Sequence, residues 1–351
     1  MGLPPDVNSL GERKVRVLAA VIESYIKTGE PVGSKSVVEH LGNAVSSATI
    51  RNEMVDLANL GYLEQPHTSA GRVPTAAAFR MYIDRLMPRR PLTPRDMNEI
   101  DTLLSHDADD PARLVSEASQ ALAEVTGCAA VSTTPSGQTA VIRRVDVLRI
   151  SEHSAALLMM TGSGMLRSRV CRFGMTVSTE ILEKLSLCLS GAFVGCPPAE
   201  VTLPQVQSLL AALGGDGLVC APALTAFYQL ALEASDTEVL LSGQLNLFGH
   251  HDYPQERLRD LLEFLSRRDM VVGMLMAMPT GLRVVLDGDG ARPELDGTGI
   301  IVTRYSPIDS DIVGGKIGII GPLRMDYAVA IPRLEYFAKA VGRALNELFY
   351  S

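Results

Sequence analysis

The chain has 351 residues, 46% of them hydrophobic and 21% charged, which is long for a single domain and ample for buried cores. Five cysteines, an odd number with no C-x-x-C pair, argue against a disulfide framework or a zinc site and leave reduced thiols used for packing. The net charge of −8 conceals an asymmetry: residues 1–95 carry 12 Lys/Arg against 9 Asp/Glu, a net of +3, and the rest a net of −11.

Taken in chain order, Ser9 and Glu12 make an S-x-x-E capping box for a first helix. Val15, Leu18, Ile22 and Tyr25 share one face of it, and Gly29 and Pro31 end it. Ser34 is placed to cap a short helix that turns Val37, Val38 and Leu41 inward, and Gly42-Asn43 supplies the next turn. A third helix follows, N-capped by Ser46 or Ser47, with Ile50, Met54 and Leu57 on the i, i+4, i+7 stripe of a packed face. Its opposite side carries Ala48, Asn52, Val55 and Asn59, flanked by Thr49 and Arg51.

Those outward residue types suit the major groove of DNA. Asn pairs bidentately with adenine, Arg with guanine, and an Ala or Val methyl touches the thymine methyl. The free N–H groups at the helix start can hold a phosphate. Alone, such a helix is an ordinary amphipathic one with a solvated polar face. Its neighbours distinguish it, because helix, short helix, turn, helix is the order of a helix-turn-helix. Beyond Gly61, Tyr62-Leu63-Glu64 and Arg72-Val73 are predicted to pair around the loop Gln65 to Gly71 as a wing, from which His67, Thr68, Ser69 and Arg72 can donate to phosphate. Thr75 then caps a helix with Phe79, Ile83 and Leu86 inward and Arg80 and Arg85 outward. A basic excess of +3 is modest, so tight binding calls for two such domains acting together, hence a dimer.

The residues quoted so far carry a family resemblance. GEPVGSK at 29–35, SSATIRNEM at 46–54 and LGYLEQPHTSAGRVPT at 60–75 resemble the winged-helix domain of the HrcA heat-inducible transcription repressors, and GGKIGIIGPLRMDY at 314–327 is similar to a second block of that family. The resemblance is specific over about the first quarter and last seventh of the chain. It implies a repressor of chaperone operons that binds an inverted-repeat operator (CIRCE) as a homodimer and is kept competent by the GroEL chaperonin.

Between these blocks, the Pro- and charge-rich segment from Pro88 to Ile100 is expected to be a hinge leading into a connecting helix. A helix at Ala112 to Thr126 precedes strand-like runs at Ala129 to Thr133, Val141 to Ile150, Ala155 to Thr161 and Met165 to Cys171, predicted as one α+β sheet domain. From about Met175 to Leu247 the pattern is helical, with Ile181, Leu182, Leu185 and Leu189 on one stripe and later Leu209, Leu213, Phe227 and Leu230. Strands are predicted again at Met270 to Met278, Leu282 to Leu286, Gly299 to Tyr305 and Gly315 to Ile320, before an amphipathic helix from about Ala330 to Phe349.

The expected fold is therefore α+β and multi-domain. A winged helix-turn-helix at 1–88 and a linker at 89–110 lead to a sheet domain at 111–174 and 248–351, interrupted by a helical domain at 175–247. The resemblance implies that the sheet domain is GAF-like and that the insertion serves dimerisation. In the Gly314 to Tyr327 block, the glycines are placed at a strand and its exit turn rather than in a phosphate loop. Arg324, Asp326 and Tyr327 are then expected to fix the final helix or meet another domain.

No enzyme motif stands out: H-E-x-x-H and G-x-S-x-G are missing, and the adjacent His250 and His251, expected in a loop, point different ways in any regular element. No enzyme activity, cofactor or metal is expected. No stretch near the N-terminus has a signal-peptide apolar core, and Val271 to Met278 is too short to span a bilayer, so the chain is expected in the cytoplasm without a membrane partner. The alternative reading is a ligand-responsive metabolic regulator, since a winged helix joined to a GAF-like domain is a general sensor arrangement.

Overall fold

A computed structural model describes residues 10–43, 45–67, 70–88, 90–104, 110–135, 140–250, 252–290, 292–307 and 314–350. Ser9, Thr68, Ser69 and His251, each singled out above, lie outside the described residues.

The N-terminal body contains α1 (Glu12–Thr28), α2 (Ser34–His40), α3 (Ser47–Asn59), the hairpin of β1 (Leu63–Glu64) and β2 (Val73–Pro74), and α4 (Ala76–Met81), which continues as a π-helical turn at Tyr82–Leu86. α1 starts behind Gly11, and α2 behind Gly33, so Ser34 is the first helical residue and not the cap. Gly42 and Asn43 both take the left-handed conformation of a tight turn. Thr75 caps α4 as expected, its Oγ1 accepting the Ala78 N–H at 3.3 Å.

Next come α5 (Pro94–Leu103), opened by a Thr93/Asp96 capping box, α6 (Pro111–Thr126) and β3 (Ala129–Thr133). Next are β4 (Ile142–Ser151), β5 (Ser154–Thr161), β6 (Leu166–Arg172), α7 (Thr179–Phe193), α8 (Leu203–Ala212) and α9 (Gly217–Ser235). The chain finishes with β7 (Val239–Ser242), α10 (Gln255–Ser266), α11 (Arg268–Ala277), β8 (Arg283–Leu286), β9 (Thr298–Arg304), β10 (Lys316–Pro322) and α12 (Tyr327–Tyr350).

Five antiparallel strands form the main sheet in the order β7-β3-β10-β9-β8. Alternation along the strands buries both faces. Ala130, Ile301, Ile317 and Ile319 face α6 and α12, while Val131, Ile300, Val302 and Ile320 face α10 and α11. The result is a mixed α/β, three-layer core.

Two expectations are corrected here. The four runs from Ala129 to Cys171 do not share a sheet: only β3 joins the main one, and β4-β5-β6 form a separate three-stranded sheet. That sheet buries Val145, Leu157 and Met159 against Leu185, Leu189 and Phe227, so the insertion begins near residue 140 rather than 175, and it ends before β7 rather than at 247. Strand periodicity alone does not say which sheet a strand joins; here the short turn between β4 and β5 and the facing apolar helices decide it. The second correction is Met270 to Met278, which is α11: Val271, Met274 and Leu275 are buried at i, i+3, i+4 while Met270 and Met276 remain exposed. An apolar run of that length has no periodicity that distinguishes a buried strand from a buried helix turn. β7 and α10 escaped the sequence reading.

α9, with the turn before it, is long and apolar enough to cross a membrane by length and composition, but Cys220, Ala223, Phe227 and Leu230 pack it inside the inserted body. All five cysteines are free thiols.

Candidate nucleic-acid interface

α3 is held from behind. Ile50, Met54 and Leu57 are buried against α1, and Glu53, also buried, reaches two cations of α1: Arg13 Nε donates to its Oε1 at 2.6 Å, and Lys14 Nζ lies 3.0 Å from its Oε2. Burial pushes the Glu53 carboxyl up, but Lys14 and Arg13 outweigh this and hold it below the usual carboxylate value. Ser46 is the N-cap, its Oγ accepting the Thr49 N–H at 3.2 Å, while the Ser47 hydroxyl is paired at 2.9 Å with Ser34 of α2. The two serines therefore divide their work, one capping α3 and one tying it to α2.

The other side of α3 is open. Ala48, Arg51, Asn52, Val55 and Asn59 are exposed, and Thr49 is half-buried. Val55 keeps 41% of its surface exposed on this face.

The hairpin flanks this face. Leu63 pairs with Pro74 and Glu64 with Val73, and the strand continues into a bridge between Arg72 and Val32, with N–H to carbonyl distances of 2.9 and 2.8 Å. Only glycine fits beside that bridge, since a Cβ on Gly71 would meet the Val32 carbonyl oxygen at 2.4 Å. His67 is exposed; Arg72 is half-buried, and its Nε has no hydrogen-bond partner among the described residues.

Between the start of α2, α3 and the hairpin lies a cleft of about 540 Å³. Three cations, Lys35, Arg51 and Arg72, line it, and among the described residues no carboxylate does. The structure thus brings Arg51, Val55 and Arg72 into one concavity, with Ser46, Ala48 and Asn52 on the exposed helix beside it. Sequence reasoning missed Lys35 and Gln65, which also line the cleft. The signal was present in GEPVGSK: a lysine one residue after the start of α2 is carried to the cleft because the preceding Val32 is pinned to Arg72.

The second block, 314–327, faces the back of this body. Arg324 pairs with Asp252 and donates through Nη1 to the Ile26 carbonyl at 3.1 Å, at the C-terminal end of α1. Tyr327 donates to the Leu323 carbonyl at 2.8 Å and its ring meets Phe79 of α4 at 6.1 Å. The expectation of contact with another domain holds for both. Arg80, expected outward, is instead an inter-body tie: its guanidinium donates to the Val284 carbonyl at 2.7 Å and to Asp289 at 3.0 Å. Helical spacing places Arg80 off the Phe79 stripe, but a second body covers that side too. His250 ends a short helical turn with its Nε2 2.9 Å from the Gly127 carbonyl oxygen.

A family model described as HrcA protein C terminal domain matches residues 112–331. The heat-inducible transcription repressor HrcA of Moorella thermoacetica is 32% identical over 343 residues, 97% of this chain and 99% of that protein. The repressor of the same name from Symbiobacterium thermophilum is also 32% identical, over 97% of this chain and 100% of its own length. A crystal structure of a hypothetical protein is similar in fold, with a TM-score of 0.66 at 22% identity, over 97% of this chain and 100% of that one. The likeness extends from the N-terminal body through the interrupted sheet to the final helix, and the chain belongs to the HrcA family of heat-inducible transcription repressors.

Proposed function

We propose that the N-terminal body is a winged helix-turn-helix that represses transcription by laying α3 in the major groove of operator DNA while the hairpin grips the adjoining backbone. The observation that carries this reading is the cleft lined by Lys35, Arg51 and Arg72 and, among the described residues, by no carboxylate, directly beside the exposed Asn52 and Val55. Asn52 and Arg51 read bases, with Ala48, Thr49 and Val55 contacting base edges or methyls. Ser46, Ser47 and the wing residues His67, Thr68, Ser69 and Arg72 serve the phosphates.

The operator is taken to be the CIRCE inverted repeat, bound by a homodimer in the cytoplasm, with the GroEL chaperonin maintaining the competent state; these partners follow the family resemblance. The five-stranded sheet with helices on both faces supports a GAF-like domain, and the β4-to-α9 body supports an inserted dimerisation domain. Its Leu182, Leu185 and Leu189 stripe is spent internally, so we place the dimer contact on the outer face of its sheet. There Leu148, Ile150, Leu166 and Val170 stand 55–60% exposed. Footprinting on a CIRCE duplex tests the reading: protection of both arms is expected, and equal affinity for a random duplex overturns it.

A further inference from the structure

A cavity of about 820 Å³ lies where the N-terminal body meets the main sheet. Ile83 and Met87 form its wall on one side, Leu282 and Ile331 on the other, and Pro88 and Pro91 also line it. Apolar hollows of that size at the junction of two bodies are characteristic of small-molecule sites.

Five charged side chains share the lining with these apolar ones. Arg80 is committed to Val284 and Asp289. Arg90 comes within 3.9 Å of Asp326, and Arg283 has no ion pair among the described residues. Two exposed carboxylates, Asp84 and Glu335, share the lining with them. β8 is an edge of the sheet and turns its Val284 carbonyl outward to Arg80, so the Val284 N–H on the same side of that strand has no partner strand. Pro332 inside α12 lacks the N–H that would bond the Ala328 carbonyl, and both residues line the cavity.

An added peptide strand would need the Val284 carbonyl that Arg80 already holds. A small molecule does not. We propose that this cavity binds a monoanionic amphipath, an aliphatic carboxylate, with its head on Arg283 and Arg90 and its chain between Ile83, Met87, Leu282 and Ile331. Asp84 and Glu335 leave room for one negative charge and work against the two of a phosphate monoester. Because both bodies touch the ligand, it favours the docked arrangement over any in which the N-terminal body swings free. That consequence for repression rests on the function proposed above; the binding itself does not.

Decanoate, below its micellar concentration, is the probe, tested by equilibrium dialysis against the full chain. Saturable binding of one molecule per chain is expected, with decanol and decyl phosphate each roughly tenfold weaker. Arg283→Gln, an exposed substitution, should weaken decanoate roughly tenfold and leave decanol unchanged, and Leu282→Trp, which pushes an indole from the wall into the path of the chain, should weaken both roughly tenfold. The absence of saturable binding, decanol or decyl phosphate binding as tightly as decanoate, or decanoate binding that survives both substitutions overturns the proposal. None of these readouts involves DNA, so failure of the operator assay leaves them intact.

Discussion

Glu53 faces inward on α3, where a carboxylate is costly unless it is paired, and Arg13 and Lys14 of α1 supply the pairing. Glu53→Gln should lower stability by about 1–3 kcal/mol, read from denaturant unfolding, while leaving the outward face of α3 in place. The pH dependence has a definite sign. A carboxyl held below its ordinary value of 4.5 contributes stability that is present above that pH and is lost as pH falls through the lower folded value. Acid titration of the variant should therefore be shallower below about pH 4.5 than that of the parent chain. On the other side of the helix, Asn52→Ala and Arg51→Ala should each cost roughly 1–3 kcal/mol on operator duplex and less on random duplex. Arg72→Ala, beside the hairpin, should weaken both duplexes alike and reduce the salt slope by about one. The outward residues of α3 were legible from its 3.6-residue period. Glu53 was not, because a helical wheel shows which side a residue faces but not the cations that α1 brings to meet it.

At the scale of elements, the joint between α1 and the core turns on a close approach. Gly29 ends α1 with φ +70°, and a Cβ there would also meet the Arg324 guanidinium at 3.0 Å. Gly29→Ala should cost roughly 1–2 kcal/mol from the left-handed backbone alone, measured as a shift in the unfolding midpoint. Arg324→Ala should speed amide exchange at the end of α1 without altering exchange in α3, since the lost bond is to Ile26 and not to α3. In the inserted body, Val170→Glu places a charge on an exposed apolar sheet face and should yield monomers by sedimentation with an unchanged circular dichroism spectrum. A stable dimer in that variant would move the contact elsewhere. The turn at Gly42-Asn43 and the caps at Ser46 and Thr75 were readable because they depend on neighbouring residues only. The sheet to which β4, β5 and β6 belong was not, since partners in a sheet are chosen across the fold.

For the molecule as a whole, the N-terminal body is not a bead on a tether. Its buried residues, from Leu18 and Ile50 to Phe79, form one continuous cluster with Ile301, Tyr327 and Phe337 of the core. A fragment of residues 1–88 should therefore melt below the intact chain, having bared that shared surface, and should bind an inverted repeat about 10²–10⁴-fold more weakly for want of a linked second copy. Equal affinity of fragment and whole protein would remove the argument for a dimer. From its own residues the chain already determined the order helix, short helix, turn, helix, the outward set on α3, the hairpin after Gly61 and a sheet split by an insertion, because helical period, capping chemistry and turn residues act over a few neighbours. Only the tertiary structure decided that Lys35 joins Arg51 and Arg72 in one cleft, that the insertion takes three strands with it, and that Arg80 and Arg324 bind one body to the other. Those outcomes depend on residues far apart in sequence, up to Arg324 beside Ile26, and periodicity carries no information at that range.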